Sequence, residues 1–126
     1  MTRRPQVLDL FCCSGGAGMG YWLAGFDVVG GDIVPRPRYP FRFNEGDALD
    51  AMREMCQDFD LVHLSPPCQA NSGPTKGTNA ARNAAAGRRH HDLIPEVREL
   101  CEWYGVPAVI ENVPGARLRR DLTLCG

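Results

Sequence analysis

The chain has 126 residues, a mass of 13.9 kDa, and 14 basic against 15 acidic side chains. This length fits a single domain, 1–126, which is small for an enzyme with two substrates. A net charge of -1 excludes a general attraction to nucleic acid, so a polyanion would have to bind a local basic patch. No apolar run approaches the roughly 20 residues of a membrane span, which predicts a cytoplasmic protein without a membrane partner.

The cysteines are spread along the chain without a CxxC pair and without the paired spacing of metal ligands. They are Cys12, Cys13, Cys56, Cys68, Cys101 and Cys125. This spacing argues against both a zinc site and a disulfide framework. We therefore expect reduced thiols, most of them packed in the interior, and no bound metal.

The first 33 residues predict a strand, a glycine loop, a helix and a second strand. Residues 6–11 form a short apolar run interrupted by Asp9, and they lead into a glycine-rich loop at 12–20. Residues suited to a helix follow at 21–25, with Gly25 as a stop signal. A second apolar run at 26–33 carries Asp32, so an acid is expected at the end of the second strand.

The next part predicts a surface connection, a helix and a third strand. Residues 34–43 contain Pro35, Pro37 and Pro40 and are therefore expected to be irregular. Asp47 then precedes an amphipathic helix at 48–57. Its inner side should carry Leu49, Met52, Met55 and Cys56. The third strand, at 59–64, leads to Ser65-Pro66-Pro67-Cys68-Gln69.

A basic segment follows. No acid occurs from 61 to 91, whereas this stretch contains Lys76, Arg82, Arg88 and Arg89. Its richness in Ala, Asn, Gly and Thr predicts a loop at least through residue 87. It is the local basic patch that the balanced net charge does not show.

The last elements predict a helix and a fourth strand. Asp92 is expected to cap the helix, with Pro95 in its first turn and Val97, Leu100 and Cys101 facing inward. The strand at 108–110 ends at Glu111.

Short apolar strands that alternate with helices predict an α/β fold with a mostly parallel sheet and helices on both faces. In such sheets, ligands bind at the carboxyl ends of the strands. The residues expected to meet there are Phe11, Asp32, Asp47, Cys68 and Glu111.

The glycine loop and Asp32 suit a nucleoside-containing cofactor. Loop amides can lie against a ligand, and an acid after the next strand can accept two hydrogen bonds from a ribose diol. The glycines Gly16, Gly18 and Gly20 are spaced GxGxG, not GxGxxG, and no phosphate-loop lysine is present. A cofactor without a polyphosphate is therefore favoured.

Cys68 and Glu111 suit covalent catalysis. A free cysteine is most often a packing group, but Pro66 and Pro67 fix the approach to Cys68, and the basic segment behind it favours the reactive thiolate. Glu111 would otherwise be a surface or capping acid, and at this edge it can carry a proton. A thiol beside a proton donor is the pairing of a nucleophile with its acid.

These motifs, in this order, resemble the amino-terminal part of the cytosine-C5 DNA methyltransferases. The run from Asp9 to Gly16 resembles their cofactor loop, Pro67-Cys68-Gln69 with Ser72 resembles their nucleophile motif, and Glu111-Asn112-Val113 resembles their proton-donor motif. The match covers residues 7 to 115. It implies a Rossmann-like, S-adenosylmethionine-dependent methyltransferase fold that is incomplete on its C-terminal side.

The resemblance also implies roles for single residues. S-adenosylmethionine would be held by Phe11, Ser14, Gly15, Gly16, Asp32, Ile33, Asp47, Ala48 and Pro67. The substrate would be a cytosine flipped out of double-stranded DNA. It would be contacted by Gln69, Ser72, Lys76, Arg88, Arg89 and Asn112. Cys68 would add to C6 of the base while Glu111 protonates or hydrogen-bonds N3, and the basic segment would close on DNA phosphates. DNA methylation in a bacterial or phage restriction-modification system would be the setting.

The chain departs from the family at two points. Cys13 stands where the family usually has glycine, and its side chain could crowd the loop if the backbone needs a positive φ. The family's later arginine motif, its target-recognition region and its returning helix have no counterpart up to Gly126. We therefore expect a partial catalytic domain without a target-recognition domain, with a complementary polypeptide as a partner to consider.

Alternatives stay open at this stage. The chain could be a catalytically inactive or split-enzyme fragment that binds cofactor or DNA. RNA cytosine could replace DNA cytosine as the substrate. An amino-group methyltransferase is disfavoured, because Cys68 follows the proline pair where an aromatic residue would be expected.

Overall fold

The computed structural model describes residues 3–67 and 92–112, together with residues 116, 118, 119 and 121. Its strands are β1 (Gln6–Leu10), β2 (Asp27–Asp32), β3 (Arg42–Glu45), β4 (Leu61–Leu64) and β5 (Ala108–Ile110). Its α-helices are α1 (Gly16–Leu23), α2 (Ala48–Met55) and α3 (Ile94–Tyr104), and a 3₁₀ turn spans Cys56–Asp58. None of the helices in these ranges is long and apolar enough to cross a membrane.

The five strands form one parallel sheet in the order β3-β2-β1-β4-β5. The predicted α/β fold with a parallel sheet is therefore confirmed. The chain builds outward from β1 to β3, then crosses to β4 and β5 on the other side, so the topological switch point lies between β1 and β4. All five carboxyl ends lie along one edge.

Alternate residues of β1 face two different layers. Leu8 and Leu10 are fully buried in a core cluster with Met52 of α2 and Val97 of α3. The neighbouring side chain of Asp9 points to the other face, where it lies against Gly18 of α1. Helices thus cover both faces of the sheet, as predicted.

Helix α1 begins at Gly16, five residues before the predicted start at 21, so much of the predicted glycine loop is helical. Glycine disfavours a helix interior, but here close packing requires it. A Cβ on Gly18 would lie 2.9 Å from the Tyr39 hydroxyl and 3.3 Å from Oδ2 of Asp9. The connection after β1 shrinks to residues 11–15.

The prediction of an irregular connection over 34–43 is wrong at its end. Arg42 and Phe43 belong to β3, which pairs with β2 at the sheet edge. The preceding segment is anchored by Tyr39, which is buried with its ring over Gly30 of β2. The polar and aromatic composition of β3 fits an edge strand and carries little apolar signal.

The other two helices follow the prediction closely. Helix α2 and the 3₁₀ turn bury Met52 and Cys56, and Leu49 and Met55 pack partly buried against the same core. In α3 the inner side carries Val97, Leu100 and Cys101. The predicted cap differs by one residue: Leu93 is the N-cap, and Asp92 before it accepts the N–H of Ile94 at 3.1 Å. Pro95 lies in the first turn, as predicted.

Candidate functional site at the carboxyl edge of the sheet

A row of backbone hydrogen bonds joins neighbouring strands at the carboxyl edge of the sheet, and the loops begin just after these bonds. Each strand pairing continues one or two residues beyond the strand end. The bonds are Cys12 N–H to the Gly31 carbonyl (3.1 Å), Gly46 N–H to Asp32 (2.9 Å), Ser65 N–H to Leu10 (3.3 Å) and Glu111 N–H to Leu64 (2.9 Å). Phe11, Asp32, Asp47 and Glu111 accordingly lie at the same edge.

Asp32 ties together the loops after β1 and β2. Its Oδ2 accepts the backbone N–H of Cys13 at 3.1 Å, and its Oδ1 accepts that of Val34 at 3.2 Å. Nε of Arg36 lies 3.4 Å from Oδ2. Because a carboxylate has about four acceptor positions, Asp32 can hold these loops and still accept further hydroxyl donors.

The loop after β1 has an unusual backbone. Phe11, Cys13 and Gly15 have φ values of 58, 48 and 95°. Cys13 therefore occupies a left-handed position that favours glycine, and its side chain is exposed. A Cβ on Gly16 would meet nothing within 4 Å, so open space lies beside the first turn of α1.

These features fit the nucleoside part of S-adenosylmethionine. Asp32 is a buried acid suited to a ribose diol, and the adjacent Ile33 side chain is 68 % exposed, which offers an apolar surface to a base. The open side of Gly16 leaves room beside them. Ser14 and Pro67 are exposed at the same edge, in the loops that follow β1 and β4.

Asp47 has a structural role at the start of α2. Its Oδ1 accepts the backbone N–H groups of Leu49 (2.9 Å) and Asp50 (3.1 Å), which makes it the helix N-cap. Ala48 packs in the core cluster, so only its backbone is placed to meet a ligand at the edge. Whether Asp47 also contacts a cofactor stays a prediction.

A hydrogen-bonded chain of side chains reaches Glu111 from inside the protein. The Tyr21 hydroxyl lies 2.8 Å from Nδ1 of His63, and Nε2 of His63 lies 3.0 Å from Oγ of Ser65. Ser65 Oγ donates to Oε1 of Glu111 at 3.1 Å. Burial lowers the pKa of His63, and the nearby Glu111 charge partly opposes this shift.

Asn112 fixes the segment that leads to Cys68. Its Nδ2 donates to the carbonyl oxygen of the buried Pro66 at 3.0 Å, which joins the end of β5 to the loop after β4. The predicted contact of Asn112 with substrate stays a prediction. In the structure, Asn112 holds the backbone at Pro66, two residues before Cys68.

Asp9 and Tyr39 form a second buried polar group beneath the edge. Asp9 is 1 % exposed, and its Oδ2 accepts the Tyr39 hydroxyl at 3.2 Å. The backbone N–H of Gly18 also donates to Asp9. Burial raises the pKa of Asp9 to about 6, with smaller contributions from Glu111 and Asp32 in the same direction.

Sequence reasoning missed the polar residues of this inner layer, Asp9, Tyr21, Tyr39, His63 and Ser65. The signal lay in the strand alternation. Apart from Gln6 at the start of β1, Asp9 and His63 are the polar residues of β1 and β4, and they are register partners of that pair. Two polar residues on one face of neighbouring buried strands indicate a shared hydrogen-bonded network.

Several predicted site residues fall outside the described ranges. They are the nucleophile Cys68 and the substrate contacts Gln69, Ser72, Lys76, Arg88 and Arg89. Within the ranges that are described, no group of three or more His, Cys, Asp or Glu side chains is arranged to hold a metal ion.

A separate groove runs along α3. It is lined by Arg53, Glu96, Glu99, Leu100, Glu102, Trp103 and Tyr104. Because α3 precedes a parallel strand, its last turns lie towards the amino edge of the sheet, away from the loops described above. Three glutamates also make this groove unsuitable for a nucleic acid backbone.

Three known proteins are similar to this chain. Two are named as candidate ribosomal RNA large subunit methyltransferases from Methanocaldococcus jannaschii. One is 35 % identical over 49 % of this chain and 20 % of its own length, and the other 34 % identical over 53 % and 22 %. The third, the type II methyltransferase M.AplI of Arthrospira platensis, is 28 % identical over 86 % of this chain and 31 % of its own length.

The chain thus spans between a fifth and a third of the length of these relatives. No protein-family profile and no solved structure matches it. The relatives differ in the substrates that their names give and share the name of methyltransferase. Together with the Rossmann-like sheet, these similarities relate the chain to the methyltransferases.

Proposed function

We propose that the chain carries the catalytic part of a methyltransferase that moves a methyl group from S-adenosylmethionine to C5 of cytosine in DNA. The observation that carries the proposal is the link between Glu111 and the segment leading to Cys68. Ser65 donates to Glu111 at 3.1 Å and Asn112 to the Pro66 carbonyl at 3.0 Å. These two bonds join Glu111, the proton donor of the proposal, to the segment that leads to Cys68, its nucleophile.

The cofactor would bind on the β2 side of the switch point. Asp32 would accept the ribose hydroxyls, with Ile33 against the adenine and Asp47 and the Ala48 backbone beyond it. The rest of the cofactor would lie along the loop after β1, against Phe11, Ser14, Gly15 and Gly16. Its electrophilic methyl group would then lie near Pro67. Neighbouring strands lie about 4.8 Å apart, so Asp32 and Pro67, two strands from each other, are separated by roughly 10 Å of sheet. A nucleoside with a short side chain spans such a distance.

The base would bind on the β4–β5 side. A cytosine in a duplex must leave the stack before its ring can meet these residues. Gln69, Ser72 and the basic side chains Lys76, Arg88 and Arg89 would hold the flipped nucleotide and the neighbouring phosphates. The acid-free stretch from 61 to 91 supports this assignment.

The reaction would run through a bond to Cys68. The thiolate would add to C6 as Glu111 gives a proton to N3. The electron density that reaches C5 would form the new bond to the methyl carbon, while the bond from that carbon to the cofactor sulfur breaks and S-adenosylhomocysteine leaves. A base then removes the C5 proton, the bond from Cys68 to C6 breaks, and the N3 proton returns to Glu111. The base passes the C5 proton to solvent, so the Cys68 thiolate and the protonated Glu111 are restored.

Trapping on 5-fluorocytosine DNA tests this proposal. The C5 fluorine cannot leave as a proton does, so we expect a covalent complex in the presence of S-adenosylmethionine, detected by mass spectrometry at a peptide containing Cys68. Cys68→Ala should abolish the complex, whereas Cys101→Ala, on the inner side of α3, should retain it. Glu111→Gln should slow its formation, and Glu102→Gln on the exposed side of α3 should not.

RNA cytosine is the second candidate substrate. The names of two relatives favour it, since they refer to ribosomal RNA. Duplex DNA and an RNA of matched sequence, offered together with labelled S-adenosylmethionine, separate the two. If label appears on RNA alone, the substrate of the proposed methyltransferase is RNA cytosine instead of DNA cytosine. Cofactor binding without label on either would instead support an inactive or split fragment, and restored label after adding a complementary polypeptide would identify the split form.

A further inference from the structure

A continuous run of hydrogen bonds crosses the sheet just below the candidate site. It begins on α1 at Tyr21, passes through His63 of β4 and Ser65 after β4, and ends on the Glu111 carboxyl group after β5. His63 is 5 % exposed, so its two ring nitrogens meet protein groups in place of water. The edge-on packing of the Tyr21 and His63 rings, with centroids 5.3 Å apart, further fixes the imidazole.

The direction of each hydrogen bond follows from the chemistry of the groups. A serine hydroxyl has one hydrogen, and Ser65 donates it to Oε1 of Glu111. Oγ of Ser65 must therefore accept from Nε2–H of His63. A neutral imidazole with a proton on Nε2 has an acceptor at Nδ1, which takes the Tyr21 hydroxyl hydrogen. One tautomer of His63 satisfies all three bonds.

We propose that Tyr21, His63 and Ser65 are positioning residues for Glu111, which hold its Oε1 and so make Oε2 the oxygen that exchanges the proton with the base. This inference rests on the proposed function, in which Glu111 is the proton donor. Glu111 is exposed at the end of β5, where its side chain would otherwise rotate freely. With Oε1 held, rotation no longer interchanges the two oxygens.

The same hydrogen bond favours the step that Glu111 would perform. A hydroxyl donates more strongly to a carboxylate than to a neutral carboxylic acid. The hydrogen bond from Ser65 to Oε1 is therefore stronger after Oε2 has released its proton to the cytosine ring. An interaction that strengthens along the reaction lowers the barrier and raises kcat, not only the affinity for substrate.

A buried histidine can also be a purely structural group, and the test separates the two roles. Loss of a structural hydrogen bond lowers stability and alters no particular kinetic constant. Loss of the positioning bond should lower kcat at an unchanged KM for DNA, and a residue that restores the hydroxyl should restore kcat. Ser65→Ala and Ser65→Thr supply this pair.

The experiment combines kinetics with NMR on the whole chain. We expect Ser65→Ala to lower kcat for methyl transfer by roughly 10- to 100-fold, the usual effect of one lost hydrogen bond to a charged group, and Ser65→Thr to recover most of it. Tyr21→Phe should lower kcat less, because it acts through His63. Tyr104→Phe, on α3, is the matched control.

The tautomer of His63 is read from ¹⁵N-histidine spectra, with a His63→Gln sample to separate its signals from those of His90 and His91. A proton on Nε2 near neutral pH would support the inference. A proton on Nδ1, or a Ser65→Ala variant with the wild-type kcat, would overturn it and leave the proposed function standing. A wild-type chain that transfers no methyl group and forms no adduct, both alone and with a complementary polypeptide, would overturn the proposed function, and the positioning role with it.

Discussion

The Tyr39 hydroxyl donates a hydrogen bond of 3.2 Å to Asp9 in the interior, between the sheet and α1. Asp9 also accepts the N–H of Gly18 in the first turn of α1, a helix whose N-cap, Gly15, has no side chain to offer. A strand side chain thus does the work of a helix cap. Burying an acid for this purpose raises its pKa to about 6, and that shift has consequences for stability.

We predict that Asp9 makes the protein less stable as the pH rises from 4 to 7. Its folded-state pKa of about 6 lies above the unfolded value of 3.8. The folded state therefore holds a proton that the unfolded state releases, and the stabilisation is present at low pH and lost as the pH passes 6. The loss between pH 4 and 7.5 should be about 2 kcal/mol.

Urea denaturation of wild type and Asp9→Asn at pH 4 and 7.5 checks this prediction. Asparagine keeps the acceptor oxygen and has no charge, so the difference between the two proteins should grow with pH. His63 acts in the opposite direction because its pKa is lowered by burial, but it is present in both proteins and does not produce the difference between them. Parallel pH profiles for the two proteins would contradict the assignment.

Gly30→Ala should destabilise the fold by about 2 kcal/mol or more, because a Cβ there would overlap the buried Tyr39 ring. The matched control is Gly20→Ala in α1, where a Cβ meets nothing within 4 Å. Alanine in a helix should stabilise by up to about 1 kcal/mol. Thermal and urea unfolding give both values. Equal stabilities for the two variants would mean that Tyr39 does not lie over β2.

Cys13→Gly should stabilise the loop after β1. A side chain at φ 48° costs about 1 kcal/mol, and glycine removes that strain at a smaller cost in unfolded-state entropy. The expected net gain is about 0.5 kcal/mol by urea denaturation. Cys13→Ala also removes the thiol but keeps the strained conformation, so it should show no gain; a gain with alanine would assign the effect to the thiol.

Asp47→Ala should cost about 1 kcal/mol, because two N–H groups at the start of α2 lose their acceptor. Asp47→Ser keeps a capping oxygen and should retain most of the stability. Calorimetric titration with S-adenosylmethionine then isolates the second role. A stable Asp47→Ser protein with weakened binding would support a cofactor contact, and unchanged binding would limit Asp47 to the helix cap.

The parallel sheet could be predicted because its central strands are mostly apolar and are separated by helical or glycine-rich segments. β3 could not, because Arg42, Phe43, Asn44 and Glu45 show neither an apolar run nor strict alternation. It forms because β2 offers an unpaired edge and because Tyr39 and Phe41 anchor the chain beside it. Tertiary contacts, not local preference, decide that strand.

The edge residues could be located from the ends of the strands, since parallel strands bring their carboxyl ends together. The buried polar residues beneath this edge could not be located in that way, because their contacts depend on which helix packs on which face of the sheet. Tyr21 lies 42 positions from His63 in the chain, and Ser65 lies 46 from Glu111. Hydrogen bonds of such long range leave no local pattern, and only the pairing of Asp9 with His63 across two strands gave a trace of them.

Because the backbone hydrogen bonds continue beyond the strand ends, the strand spacing fixes the distances between residues across the site. From Asp32 at the end of β2 to Glu111 just after β5 there are three strand spacings, about 14 Å, whatever the sequences of the loops. Loop substitutions can therefore change which molecule is recognised without moving the two acids apart. An inserted residue within β1 would instead disturb the geometry of the site. The backbone at the end of β1 bonds both to Gly31 of β2 and to Ser65 after β4, so the loops after β1 and β4 would shift relative to each other.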